Sequence, residues 1–324
     1  MKHYLITGGA GFIGSNLVKT LLNEQPGIAI TCIDNFDPFY PPEIKRFNIR
    51  QFKDHPGFRL IIADLAETSA EWLCKAIDRP VDIIIHLAAK AGVRPSIENP
   101  MAYQQSNIIG LQNLLEFARI QKVVQFVFAS SSSVYGVNDH FPWKEDERLL
   151  PVSPYAMTKL SGEMLGHVYS KVFGIRFIAL RFFTVYGPGQ RPDLAIHKFT
   201  KAIACKKPVT MYGDGSSSRD YTFIDDITEG IKAAMDYEKS NFEIINLGNN
   251  YPVSLKQLIS TLEEVMDETA AIEWHPDQLG DVPKTFADIE KAKQLLNYHP
   301  HTSLKEGLQK FYEWFNENEW LLLK

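Results

Sequence analysis

A chain of 324 residues is longer than one small core can organise and points to about two domains. With 45% hydrophobic and 23% charged residues it has ordinary globular composition, which excludes wholesale disorder. Lys plus Arg is 34 and Asp plus Glu is 39, a formal net charge of −5; this excludes a nucleic-acid binder that relies on a basic surface, but not a local cationic site for a small anion.

Taken in chain order, the N-terminus runs directly into a short apolar strand, Tyr4-Leu5-Ile6, and does not read as a signal peptide. Phe12, Ile13, Leu17, Leu21 and Leu22 then recur at helical spacing, and Ala29 to Ile33 reads as a second strand. Phe58 to Ile62, Val81 to His86, Phe126 to Ala129 and Phe177 to Leu180 follow, most of them separated by helical patterns. This alternation predicts an α/β fold, a Rossmann-type doubly wound parallel sheet covered on both faces. Asn99-Pro100 and Ser153-Pro154 each place a capping residue before Pro at a first helical position. Beyond about residue 181, Pro and Gly become frequent and the elements short and mixed. The expected division is therefore 1–180, a dinucleotide-binding domain, and 181–324, a smaller and mainly substrate-binding α+β domain, with the chain free to cross between them. Ser303 with Glu306 makes a capping box before a last helix carrying Leu304, Leu308, Phe311 and Phe315. No apolar run of membrane-spanning length is present, so no membrane span is expected. Cys32, Cys74 and Cys205 form neither a disulfide framework nor a C-x-x-C pair, which fits a reducing, cytoplasmic setting. His299 and His301 flank Pro300 without a third ligand nearby, so no metal is expected, and Trp314, Phe315 and Trp320 read as packing residues.

The first candidate site is Thr7-Gly8-Gly9-Ala10-Gly11-Phe12-Ile13-Gly14, between the first strand and the first helix. Glycines at 8, 11 and 14 allow a tight turn, close approach of a pyrophosphate and close helix–strand packing, with the helix N-terminus facing the phosphates. Asp34, followed by Asn35, ends the second strand 20 residues after Gly14. A carboxylate there can accept both ribose hydroxyls and would repel a 2′-phosphate, which favours NAD over NADP. Asp64 and Leu65 after the third strand either meet the adenine or cap the next helix, and Leu87, Ala88 and Ala89 after the fourth offer small residues beside a cofactor.

The second candidate site is Tyr155-Ala156-Met157-Thr158-Lys159, which puts a phenol and an ammonium four residues apart on one helix face. A phenol has a pKa of about 10 and is a poor base alone. A neighbouring cation favours the phenolate, which can accept a hydroxyl proton while hydride leaves the same carbon. Ala129-Ser130-Ser131-Ser132-Ser133 ends a strand, where ligands sit in open α/β sheets.

Together these residues resemble the extended short-chain dehydrogenase/reductases, more narrowly the NAD-dependent nucleotide-sugar epimerases and among them the UDP-glucuronate 4-epimerases. The resemblance spans essentially the whole chain. It also rests on Ala91-Gly92-Val93-Arg94-Pro95-Ser96 with Asn99-Pro100, on Arg181-Phe182-Phe183-Thr184-Val185-Tyr186-Gly187-Pro188, on Gln190-Arg191-Pro192-Asp193, and on Gly213-Asp214-Gly215 with Ser218-Arg219-Asp220. It implies a catalytic set of Ser131, Tyr155 and Lys159. It implies NAD contacts along Gly8, Gly11, Phe12, Ile13, Gly14, Asp34, Asn35, Asp64, Leu65, Leu87, Ala88 and Ala89, and from Tyr155 and Lys159, the lysine holding the ribose, with Asn107 near the site wall. Thr184, Ser132 and Ser133 would meet the sugar carboxylate, Arg94 would lie near the sugar, and Asp281 would join the substrate set. Arg191 and Arg219 would face the nucleotide end, Arg219 being the better diphosphate candidate. The substrate implied is UDP-glucuronate, converted to UDP-galacturonate through a 4-keto sugar. The alternatives are epimerisation of UDP-glucose or UDP-N-acetylglucosamine, decarboxylation of UDP-glucuronate, or a non-catalytic NAD sensor.

Ser132-Ser133 stands where related dehydratases carry Asp-Glu, and Ser133 where glucuronate decarboxylases carry Glu. Lys90 and Gln278-Leu279-Gly280-Asp281 depart from the epimerase pattern, which has a neutral residue, often Gln, at the first position and often an Arg just before the Gly-Asp of the second. A homodimer is implied, formed by the helices that begin at Asn99 and Ser153, although their apolar stripes could equally face their own sheet.

Overall fold

The structure, a computed structural model, describes residues 1–276 and 282–322. Gln278 to Asp281, singled out in the sequence, therefore lie outside the described residues. Seven strands form one all-parallel sheet: β1 (His3–Thr7), β2 (Ala29–Asp34), β3 (Phe58–Ile62), β4 (Ile83–His86), β5 (Gln125–Ser131), β6 (Arg176–Phe182) and a late strand, Phe242–Leu247, in the order Phe242–Leu247, β6, β5, β4, β1, β2, β3. The order reverses between β1 and β4, and ligands of such sheets bind in the crevice at that reversal.

The strands read as unbroken apolar runs because both faces are covered. Ile83 and Ile85 enter one core with Tyr4, Ile6 and Val127; Ile84 enters the opposite core with Leu5, Phe126 and Phe128. Helices α1 (Phe12–Glu24), α2 (Pro42–Ile49), α3 (Ala70–Ala76), α4 (Val93–Glu98), α5 (Pro100–Gln104), α6 (Gly110–Gln121) and α7 (Pro154–Phe173) supply the cover. Asn99 and Ser153 cap α5 and α7 by accepting the N–H groups of Ala102 and Ala156. α7 lies tight on the sheet: a Cβ at Gly166 would come within 2.1 Å of the Phe177 ring.

One feature departs from the sequence pattern, and two more fall where it left alternatives open. The stretch predicted as one helix after Asn99 is α5 and α6 joined by a π turn, Gln105–Ile109, because the chain there widens around Asn107. On α7, Met164 and Val168 are each 49% exposed and Val172 65%, so much of that apolar stripe faces solvent rather than its own sheet. Finally, the chain crosses back after entering the second half. β7 (Thr184–Tyr186), β9 (Ser218–Phe223) and β11 (Pro252–Ser254) form a small sheet, and β8 (Val209–Tyr212) pairs with β12 (Ile272–His275). Between them β10, the strand Phe242–Leu247 already placed, returns to the edge of the main sheet beside β6. Among the described residues no helix is long and apolar enough to cross a membrane.

Candidate active site

A groove of about 500 Å³ opens at the C-terminal ends of β1, β2 and β4 to β6. Its floor is the glycine loop. Gly8 has φ +72°, and a Cβ there would lie 2.7 Å from the Ala88 nitrogen; a Cβ at Gly14 would lie 2.3 Å from the Gly8 oxygen. Side chains are thus excluded where the loop, the next helix and the turn after β4 converge. No side chain caps the start of α1, so its N–H groups face the groove free to meet phosphate oxygens. At the rim, Asp34 accepts the N–H of Phe36 on one oxygen (2.9 Å) and that of Ala10 on the other (3.1 Å), leaving lone pairs for ribose hydroxyls. Asp64 is tied to Asn35 (2.8 Å) and to the Ala66 N–H (2.9 Å), so it both shapes its own turn and lines the groove. The donor set and the side-chain-free cradle fit a dinucleotide. Gly14→Ala must displace backbone, a cost on the order of 1–3 kcal/mol; NAD titration is expected to show binding roughly ten- to hundred-fold weaker than in the native protein.

Tyr155 and Lys159, on α7, meet the end of β5 in the same groove. Lys159 is buried and donates to the Ala129 carbonyl (2.7 Å), with its Nζ 6.0 Å from the centre of the Tyr155 ring. Burial pushes the ammonium down to about 7. Ser131 accepts both the N–H and the hydroxyl of Ser133 (3.2 and 2.9 Å). Ser131 also lies close enough to Tyr155 for its hydroxyl to favour the phenolate. Burial raises the Tyr155 pKa, while the Ser131 hydrogen bond and the positive charge of Arg191 pull it back. A phenol, a hydroxyl and an ammonium therefore converge beside a dinucleotide cradle, an arrangement able to move the proton of a secondary alcohol.

A sequence profile for the family described as GDP-mannose 4,6 dehydratase matches residues 5–311. The chain belongs to this family. Within the broader extended short-chain dehydrogenase/reductases, it is 41% identical to a UDP-glucuronate 4-epimerase of Thermodesulfobacterium geofontis, over 98% of this chain and 97% of that one. The crystal structure of a UDP-glucuronic acid 4-epimerase from Bacillus cereus, in complex with UDP-glucuronic acid and NAD, superposes with a TM-score of 0.91 at 39% identity, covering 97% of this chain and 99% of that one. A UDP-N-acetylglucosamine 4-epimerase from Methanobrevibacter ruminantium, at 29% identity, reaches 0.89 over 98% and 99% of the two chains.

In this family member the groove gathers Gly8, Gly11, Phe12, Ile13, Gly14, Asp34, Asn35, Asp64, Leu65, Leu87, Ala88 and Ala89 with Ser131, Ser132, Ser133, Tyr155, Lys159, Thr184 and Arg191. Arg191 is held by a two-point contact with Asp193 (2.9 and 2.6 Å). It also stacks over Phe39, 5.4 Å from that ring's centre, and its charge favours the Tyr155 phenolate. Behind it, His197 Nδ1 donates to the Gln190 carbonyl (3.1 Å), and burial holds that imidazole neutral by lowering its pKa to about 4. Asn107 is buried and turned away from the groove: it accepts the N–H of Lys90 (2.8 Å) and donates to that residue's carbonyl (3.0 Å) and to Thr158 (3.0 Å). Arg94 stacks over Tyr212, 5.4 Å from its ring centre, and Arg219 on β9 donates to the Ser218 carbonyl; neither lines the groove. Asp281 is outside the described residues. His301 lies beside Asp226 and Glu229, where the buried Asp226 carboxylate also accepts the N–H groups of His301 and Thr302 and so ties that loop.

Sequence reasoning missed Asp37, Phe39, Tyr40 and Lys45, which line the groove from the segment after β2. That segment carries no motif, although three acid or hydroxyl groups, Asp34, Asp37 and Tyr40, within seven residues of a strand end were a usable signal. It also missed Glu163, one turn beyond Lys159. Buried Glu163 accepts from Ser130 (2.5 Å) and makes a two-point contact with buried Arg181 (2.9 and 2.8 Å).

Proposed function

We propose that this protein is an NAD-dependent UDP-sugar 4-epimerase that interconverts UDP-glucuronate and UDP-galacturonate. The observation that carries the reading is the convergence of Ser131, Tyr155 and Lys159 beside the glycine cradle. The names of its relatives support the substrate class and the cofactor. Bound along the glycine loop and Asp34, NAD supplies the acceptor and later the donor of the C4 hydride. Tyr155 takes the proton of the sugar 4-hydroxyl during oxidation, with Ser131 donating to the developing phenolate and Lys159 favouring it electrostatically. After the 4-keto sugar has turned over in the pocket, Tyr155 returns the proton to the new 4-hydroxyl.

A 4-keto glucuronate is a β-keto acid and loses carbon dioxide when its carboxylate–C5 bond aligns with the carbonyl π system. Thr184, Ser132 and Ser133 would hold the carboxylate away from that alignment, and Arg191 adds a second positive charge to the groove. Arg219 would then serve the diphosphate. The acidic pair of the related dehydratases and the extra Glu of the decarboxylases are replaced here by Ser132-Ser133, which leaves C5 without a base. NMR of the product from UDP-glucuronate tests the reading. UDP-galacturonate without released carbon dioxide is expected; a pentose product, or turnover confined to UDP-glucose or UDP-N-acetylglucosamine, would overturn it.

The same reading divides the chain near residue 180 into a cofactor half and a sugar half, with β10 returning to the first. It makes the protein a homodimer, since Met101 and Ile109 on one helical stretch and Met164, Val168 and Val172 on α7 leave apolar surface in water. Val168→Glu is expected to yield monomers by sedimentation while the groove still binds NAD. A cytoplasmic location fits three unpaired cysteines, Cys32, Cys74 and Cys205.

A further inference from the structure

In sheet order, β2 and β4 lie on either side of β1, and the glycine loop follows β1. Asp37 follows β2, Lys90 follows β4, and both line the groove. Their side chains meet at 2.6 Å, Lys90 Nζ donating to Asp37 Oδ2. An ion pair joining these two loops must pass over the loop between them. We propose that Asp37 and Lys90 form a clasp across the cradle, closing over the diphosphate of a dinucleotide seated on the glycine loop and slowing its release.

Each side of the clasp is anchored. Asp37 accepts the Phe39 N–H on its other oxygen (2.9 Å), and its own N–H donates to Asn35 (2.9 Å). Although burial works against the charged form, the Lys90 hydrogen bond and that N–H outweigh it, so the carboxyl sits below the usual range and is ionised at neutral pH. The Lys90 backbone is gripped at both N–H and carbonyl by Asn107, which also bonds Thr158; Thr158 in turn donates to the Tyr155 carbonyl (2.8 Å). The clasp is therefore tied to the helix that carries the phenol, and the π turn that buries Asn107 gains a purpose. The pair itself is only partly buried, with side chains 28% and 24% exposed, so it can part and is open to screening by salt.

Such a clasp suits an enzyme that regenerates its cofactor at every turnover. A dehydrogenase must exchange its dinucleotide; an epimerase loses activity if it does. The proposal rests on NAD lying along the glycine loop and not on which sugar is turned over.

The test follows NAD leaving the holoenzyme with no sugar present, trapped by excess alcohol dehydrogenase and ethanol and read as NADH absorbance. In the native protein, release is expected to quicken as sodium chloride is raised. Asp37→Asn and Lys90→Gln are each expected to speed release about 2- to 5-fold and to flatten that salt dependence, the size expected for loss of one partly exposed pair. The double variant should release no faster than either single variant, because the two changes remove one contact. If Asp37→Asn slows release while Lys90→Gln speeds it, Lys90 acts on the cofactor directly and the clasp is wrong. Release rates that match the native protein in both single variants would overturn it equally. Asn107→Ala, which frees the Lys90 backbone without touching either charge, should speed release while keeping the salt dependence. Because no sugar enters these measurements, their outcome is separate from that of the product assay.

Discussion

Tyr155→Phe is expected to lower epimerase turnover by ~10²–10⁴-fold while NAD stays bound. The substitution removes one oxygen. The ring keeps its edge-on contact with Tyr103, at 6.3 Å between centres, and Lys159 keeps its bond to the Ala129 carbonyl. The cradle around Gly8 and Gly14 is untouched, so NAD content after purification separates loss of chemistry from loss of the cofactor site. The pH profile adds a second reading. In the protein alone Tyr155 is protonated at neutral pH, because burial raises its pKa more than Ser131 and Arg191 lower it. Activity limited by phenolate formation rises with pH through the tyrosine's titration. Ser131→Ala removes a donor that stabilises the phenolate, so the acidic limb of kcat/KM should move to higher pH. A variant that loses rate at every pH without moving the limb would assign Ser131 to sugar binding alone.

The parts of this protein that were legible in the sequence are those whose chemistry is local. A strand covered on both faces is apolar at successive positions, so Tyr4-Leu5-Ile6 stands out as a run, whereas the edge strand Phe58–Ile62 carries Arg59 and leaves Ile62 exposed. A phosphate cradle needs backbone without side chains, so Gly8, Gly11 and Gly14 stand out, and Tyr155 and Lys159 share a face by helical spacing alone. What stayed hidden depends on distant pairs. Nothing between Asp37 and Lys90 in the chain hints that they meet; that follows from β2 and β4 flanking β1. Lys90 was visible only as a departure from the epimerase pattern, and the structure gives that departure a partner. The apolar stripe of α7 was legible as a stripe, but helical periodicity does not say what it faces, and Met164, Val168 and Val172 face outwards. The π turn at Gln105–Ile109 left no sequence trace because it answers a tertiary demand, the placing of Asn107 under Lys90.

Glu163 is the clearest case of a hidden residue, and its replacement should have the largest effect on stability. Its carboxylate is fully buried between Arg181 and Ser130. Arg181 also donates to the Glu145 carbonyl (3.2 Å) and stacks over Tyr135 at 4.8 Å, so it cannot swing out to water. Glu163→Ala leaves that guanidinium buried without its counter-charge, a loss of about 3–5 kcal/mol. At ~2–4 °C per kcal/mol for a chain of this size, the thermal midpoint should fall on the order of 10 °C. Scanning calorimetry of the NAD-free protein checks this. Glu163→Leu combined with Arg181→Met exchanges the ion pair for apolar groups of similar volume and should recover most of the lost stability. It would not restore the anchor on Ser130, the residue just before Ser131 at the end of β5. If the pair serves only the core, the double variant turns over at the native rate. If Glu163 also fixes the strand end that presents Ser131 to Tyr155, the double variant folds, keeps its NAD and loses kcat with little change in KM. The second outcome is expected, because α7 aligns Tyr155, Lys159 and Glu163 along one face, and each of the last two holds a neighbouring residue of β5, Ala129 and Ser130.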